Sequence, residues 1–372
     1  MYTKDIIHTG QVITTLLELV DAGRFPHAHL LKGNAGSGKL IVARALAQYL
    51  VCENKSDHES CGTCPSCHKS LQSIHPDIHY SFPITGAKVT CNDYMSKFRT
   101  FIQENPYASG SEWIVEMGDG KKTGNITAAE CNRLSKIVHL KPYEADKKVI
   151  IIWLPEYLGK DGNRLLKMIE EPPPSTYFIF VSDNAELILS TILSRCQIVS
   201  LPPVSKTAIA ELIAEKFSLE SETANTIATL SEGNISEAIA MGEQGDNKFL
   251  PVWMQLFRSA YQGHTASISK AVSEVNEFTK EEMKTFFQYC THFLRQCLLL
   301  RYLPEENISL HKTEIDLANK VITVVDDEAI QEISKMLDGL SYHLERNANM
   351  KISLLSFAIR VNRILIKDAV MA

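Results

Sequence analysis

Two groups of residues in this sequence have the types and spacing to do chemistry. The first is residues 33–40, G-N-A-G-S-G-K-L, set between the apolar run 29–31 and the helical pattern 41–50. A buried strand, a glycine turn and a helix make a phosphate cradle. The glycines turn backbone N–H groups inward, Lys39 reaches the terminal phosphates, and the helix N-terminus favours the anion. Gly33, Gly36, Gly38 and Lys39 are therefore the candidate residues for binding ATP or ADP. A working P-loop also needs a Ser or Thr hydroxyl for Mg²⁺. Here that position is Leu40, followed by Ile41. The frame of an ATP site is present without its metal ligand. Two readings stay open: weak nucleotide binding by Lys39 and the loop amides, or a turn kept only to pack strand against helix.

The second group is Cys52, Cys61, Cys64 and Cys67, spaced C-x8-C-x2-C-x2-C. Two overlapping C-x2-C steps form tight knuckles whose thiolates converge, and Cys52 at a helix end supplies a fourth sulfur. The expected ligand is one zinc ion. Four protein ligands leave no position for water, so its role is structural rather than catalytic. His68 is poorly placed to replace its neighbour Cys67 as a ligand. The alternative is a set of reduced thiols without metal.

These groups need elements to position them. Short buried strands are expected at 27–31, 79–82, 148–153, 176–181 and 198–201, with the continuous apolar run at 148–153 suited to a central parallel strand covered on both faces. Helices are expected at 6–20, 41–51, 94–103 and 128–138, the last capped by Thr127, and at 162–169 before the Glu170-Glu171-Pro172-Pro173-Pro174 stop. In an ATPase of this kind the strand at 148–153 should end in Asp-Glu, one carboxylate for Mg²⁺ and one to activate water. The sequence reads Leu154-Pro155-Glu156. That is a second, independent loss.

The chain has 372 residues, a net charge of −6, 45% hydrophobic and 22% charged residues. Such a composition supports two or three folded domains and excludes a disordered chain. Its charge leaves no overall field for nucleic acid, so any DNA contact must come from a local strip or from partner chains. No signal sequence or membrane-length apolar run is evident, which places the protein in the cytoplasm, where nine cysteines are not expected to form disulfides.

The order of P-loop, four-cysteine knuckle, Glu170-Glu171-Pro172-Pro173-x-x-Thr176 and Thr191-Ile192-Leu193-Ser194-Arg195-Cys196 resembles bacterial DNA polymerase III clamp-loader subunits. These are the gamma/tau and delta-prime group of the AAA+ family. The resemblance covers about residues 1–245. It implies an α/β AAA+ P-loop domain, a parallel sheet with helices on both faces, at 1–203. That domain carries the knuckle (52–67) and an insertion (about 83–125) to which the sequence gives no role. A small helical lid (204–245) and an all-helical collar (246–372) follow.

Departures from the gamma pattern point to the delta-prime side of the group. Leu40, Leu154-Pro155 and Ser236, which stands where gamma subunits carry a sensor arginine, each degrade ATP handling, whereas Ser194-Arg195-Cys196 is intact. The resemblance thus implies a non-catalytic subunit that offers Arg195 in trans to a neighbour's ATP. Its implied partners are gamma/tau and delta subunits, with the sliding clamp and primer–template DNA reached through the complex, and no membrane. Taken alone, Arg195 also reads as a structural ion-pair partner. The competing functions are an active gamma-like ATPase and a zinc-dependent nucleic-acid-binding module. The second lacks the Lys/Arg and aromatic interleaving of a binding surface.

Overall fold

Five apolar runs pair into one sheet: β1 (Ala28–Lys32), β2 (Ile78–Ser81), β3 (Lys148–Trp153), β4 (Thr176–Ser182) and β5 (Gln197–Ser200). Their spatial order is β2-β3-β4-β1-β5, and every pairing is parallel. β3 has the expected bounds and is buried along its whole length. β4, not β3, takes the middle of the sheet, and β3 lies beside it. Among the described residues the outer strand β5 pairs only with β1, and it is largely exposed.

The computed structural model describes the chain except residues 1–5, 7–9, 87–88, 118–123, 245–248, 306–307, 309, 311, 347 and 372. The chain divides into two units, Met1–Ala208 with Gly233–Glu237, and Ile209–Glu232 with Ala238–Ala372.

In the first unit the sheet is covered by α1 (Gly10–Asp21), α2 (Lys39–Val51), α3 (Pro65–Leu71), α4 (Cys91–Glu104), α5 (Gly110–Met117), α6 (Ala128–His139), α7 (Leu166–Glu170) and α8 (Ser190–Leu193). Residues 7–9 of the helix expected at 6–20 lie outside the described residues. α2 is buried at every position, as befits a helix that is apolar nearly all round. On one side of the sheet, Leu134 and Val138 of α6 pack with Ile150, Ile152, Phe178 and Phe180. Elsewhere an aromatic group forms around Phe98. Phe82 stacks on it at 3.9 Å and Trp113 meets it edge-on at 5.4 Å. Through Phe98 of α4 and Trp113 of α5, the 83–125 insertion is anchored by burial of large rings. The Trp113 indole N–H is satisfied by the Pro83 carbonyl at 2.8 Å.

Local signals explain most boundaries. Thr127 caps α6, its hydroxyl accepting from the Glu130 N–H at 3.2 Å. The helix expected at 162–169 is different. A 3₁₀ stretch spans Pro155–Leu165, and α7 covers only Leu166–Glu170. Left-handed backbone at Leu154 (φ 59°) and Gly159 (φ 49°) breaks α geometry there. α5 was not anticipated, because Ser109-Gly110 reads as a turn. Ser109 instead starts the helix: its hydroxyl accepts from the Glu112 N–H at 3.4 Å, and the Glu112 carboxylate accepts from the Ser109 N–H. That is a reciprocal capping box.

The described part of the second unit is all helical. It contains α10 (Ser221–Leu230), α12 (Phe249–Gln262), α13 (Thr265–Asn276), α14 (Lys280–Leu300), α15 (Lys312–Ile322), α16 (Asp327–Glu345) and α17 (Met350–Met371), while α9 (Lys206–Phe217) and α11 (Ile235–Gln244) enter it from the division points. Trp253, Phe286, Phe293, Ile333 and Leu354 are part of its core. No described helix is long and apolar enough to cross a membrane.

Candidate nucleotide, metal and arginine sites

The glycine turn follows β1 and opens α2, as strand–turn–helix logic requires. Gly36 (φ 65°) and Gly38 (φ 82°) adopt left-handed backbone, and Gly38 is the residue before the first helical turn. Lys39 is only 3% exposed, with its ammonium 2.8 Å from Asp183 Oδ1. The same nitrogen donates to the Asn34 carbonyl and lies 3.4 Å from the Ser37 hydroxyl. Leu40, in the metal-ligand position, is a buried core residue.

The strand ends beside this turn carry no free acid pair. Leu154 is buried. Glu156 Oε1 accepts from the backbone N–H groups of Asp183 and Asn184, at 3.0 and 3.2 Å. It therefore ties down the turn after β4. Burial, with the Asp183 charge adding to it, pushes its carboxyl above the ordinary value.

Three further residues crowd the glycines. A Cβ on Gly36 would stand 1.7 Å from Asn234 Oδ1, and one on Gly38 would stand 3.1 Å from the Tyr107 ring. The Ile235 N–H donates to the Gly36 carbonyl at 3.0 Å. Ser236 donates to Glu112 Oε1 at 2.6 Å. Asp183, Tyr107, Glu112 and Asn234 were not anticipated as site residues. Asp183 had a signal: it is the first residue past an apolar strand beside β1, at the carboxyl edge where open parallel sheets gather their ligands. Tyr107 and Asn234 reach the turn by long-range packing, and Glu112 bonds to Ser236 beside Asn234, which leaves no periodic trace.

At the other end of α2 the structure brings Cys52, Cys61, Cys64 and Cys67 together. Their sulfurs all lie within 4.8 Å of one another, and His68 is not among the group. Cys52 and Cys61 are 3.7 Å apart, and Cys61 and Cys67 are 3.9 Å apart. Zinc–sulfur bonds of about 2.3 Å in a tetrahedron give edges of about 3.8 Å, so the donor set fits that metal. The N–H groups of Cys61, Cys64 and Cys67 donate to the sulfurs of Cys52, Cys61 and Cys64 at 3.3, 3.3 and 3.4 Å. Such bonds stabilise thiolates. Burial works against ionisation of Cys61, but N–H groups from Thr63 and Cys64 outweigh it and bring the thiol to about 6. Burial pushes Cys52 and Cys67 up, the expected result for clustered thiols before a cation joins them. These four residues could hold a structural metal such as zinc.

Arg195 lies between α8 and β5, its side chain 30% exposed. Its guanidinium donates to Glu170 Oε1 at 2.9 Å, to the Thr191 carbonyl at 2.8 Å and to the Ser194 hydroxyl at 3.2 Å. Glu170 belongs to the acidic pair that closes α7. The Glu-Glu-Pro and Ser-Arg-Cys motifs, distant in sequence, therefore meet here. The arrangement fixes a planar cation at the exposed edge of the sheet.

The sequence model of the family described as DNA polymerase III, delta subunit, matches residues 8–205. A DNA polymerase III subunit delta' of Haemophilus influenzae is 24% identical over 306 residues, covering 82% of this chain and 77% of that protein. The subunit delta' of Escherichia coli is 25% identical over 232 residues, covering 62% of this chain and 59% of that protein. A DNA polymerase III subunit gamma of Buchnera aphidicola is 27% identical over 252 residues, 66% of this chain and 59% of that one. The sheet, P-loop, cysteine cluster through Cys67 and Ser-Arg-Cys edge all fall within the matched 198-residue span of 8–205, more than half of the 372 residues. This chain belongs to the DNA polymerase III delta-subunit family, with delta-prime proteins among its relatives.

Proposed function

We propose that this chain is a clamp-loader subunit that hydrolyses no nucleotide and supplies Arg195 to the ATP site of a neighbouring subunit. The observation that carries the reading is an asymmetry within one sheet. Both positions for Mg²⁺ contacts, Leu40 and Leu154, are buried apolar side chains, while Arg195 is held at an exposed edge. An arginine supplied in trans spreads positive charge over the transferring phosphoryl group and is worth about 10³–10⁵ in rate in related NTPases. The donor needs no nucleotide of its own. It needs a rigid mount, and Glu170, Thr191 and Ser194 provide one.

On this reading gamma/tau and delta subunits are the partners, and the sliding clamp and primer–template DNA are met through the complex. The chain would divide functionally into the ATPase-like part (1–203), the lid (204–245) and the collar (246–372), with zinc holding the knuckle. Hydrolysis by the chain itself is the competing reading, and the loss of both metal contacts argues against it.

The test is the reconstituted complex carrying Arg195→Ala. Assembly should be intact, ATP turnover should fall partially because one site is affected, and clamp loading should fall further. The isolated chain should show no turnover. Unchanged ATPase and loading rates in the variant complex would make Arg195 a structural partner of Glu170 and nothing more.

A further inference from the structure

We propose that the P-loop of this chain holds an internal ligand: the Asp183 carboxylate takes the place of a phosphate, and the insertion closes over it. This rests on reading residues 33–39 as the family's P-loop, and it goes beyond the missing metal contacts. Those losses stop hydrolysis. An internal ligand stops binding.

A lysine ammonium has three N–H donors. In Lys39 the acceptors are the Asn34 carbonyl, the Ser37 hydroxyl and Asp183 Oδ1. None is left for a nucleotide. Asp183 is 20% exposed, and its second oxygen accepts from the Gly110 N–H at 3.2 Å. One carboxylate thus bridges the P-loop lysine and the first residue of α5, as a bound anion would bridge a cation and a backbone donor. An entering phosphate would have to displace this carboxylate and then sit beside its charge.

The closure is continuous. Glu112, in the first turn of α5, accepts from Ser236 through Oε1 and from Ser109 through Oε2, at 2.6 and 2.7 Å. Ser236 belongs to the Gly233–Glu237 segment, which is part of the first unit. From that segment Asn234 covers Gly36 and Ile235 takes its carbonyl. Tyr107, just before α5, lies against Gly38. The insertion, for which the sequence gives no role, thereby acquires one. Its 105–117 part is the cover of a site that the fold retains and the chain fills itself.

The test is calorimetric titration of the full chain with pyrophosphate as the probe. The unmodified chain should bind weakly or not at all. Asp183→Asn removes the rival charge and should tighten binding by about a hundredfold, the scale of one like charge at close range. Adding Lys39→Ala to that variant should abolish the gain. Equal, Lys39-dependent binding by the unmodified chain overturns the proposal, as does a folded Asp183→Asn chain with no gain. Should Asp183→Asn fail to fold, hydrogen exchange on the unmodified chain decides. Slow exchange at Gly36, Ser37 and Gly38, unaltered by pyrophosphate, supports the internal ligand. Fast exchange that pyrophosphate slows overturns it. The Arg195 experiment reads a neighbour's site, so either idea can fail while the other stands.

Discussion

The two ligand frames of this chain sit at opposite ends of one helix, and they have fared differently. α2 spans Lys39–Val51, about 20 Å of buried rod. The P-loop is at its N-terminus and Cys52 is its C-cap. At the cysteine end, four soft donors converge, and backbone N–H groups donate to three of the sulfurs. At the P-loop end the cation already has its anion, and the glycines already have their cover. The lesson is that a motif reports a frame, and only the partners of its polar atoms report whether an outside ligand is required.

The strongest way to break this contrast is to remove the metal. Protein purified under reducing conditions without chelators should carry one zinc per chain, and Cys64→Ser should bring that to near zero. Structural zinc sites carry about 10 kcal/mol or more of apparent binding energy, so the loss should open the 52–67 region to protease long before the sheet. Metal analysis finding no zinc in the unmodified chain would erase the contrast.

A smaller effect is expected at Gly36. A methyl group there meets Asn234 at 1.7 Å on a backbone with φ 65°. Overpacking together with left-handed strain should cost about 3 kcal/mol, read as a lowered urea midpoint. In a P-loop open to solvent, only the backbone strain would remain. A near-neutral Gly36→Ala would mean that the cover is not tightly seated.

Acid should sharpen the comparison with a third, smaller effect, because it reaches the two ends by different routes. Protons compete with zinc for the cysteines. On β1, leading into the P-loop, His29 is fully buried and stacks on Phe25 at 4.0 Å. Burial, with the charge of His27, lowers it to about 4. The unfolded chain therefore takes up this proton from about pH 6.5 downward while the folded chain resists until about 4. Stability present above pH 6.5 should be lost progressively over that window, about 2 kcal/mol of it by pH 5. His29→Phe should flatten this part of the profile in urea unfolding. An unaltered acid slope would assign the loss elsewhere.

Much of the frame was legible because its signals are local. The bounds of β3 follow from an unbroken apolar run, and β1, β2 and β5 are each displaced by one residue from expectation. The cysteine cluster was legible for the same reason, since three of its ligands lie within seven residues. What was hidden depends on contacts between distant residues. Ser109-Gly110 has the composition of a turn and becomes a helix start because Glu112 completes its cap. The 3₁₀ stretch after β3 follows from left-handed backbone at Leu154 and Gly159, which helical periodicity does not reveal. Asp183 and Asn234 act through partners in other elements. Arg195 was visible as a motif, whereas its pairing with Glu170 is a property of the fold.

The return of Gly233–Glu237 to the first unit also has a consequence in time. A ribosome makes the glycine turn, the sheet strands and the 105–117 cover before it makes Asn234. Domains fold as they emerge, so the nascent sheet passes through a stage in which Gly36 has neither its Asn234 neighbour nor the Ile235 N–H on its carbonyl. Completion of the first unit is thereby tied to synthesis of residues beyond α10. No single cut in the sequence releases that unit whole. A fragment ending at Ala208 has all five strands and still lacks the piece that finishes them.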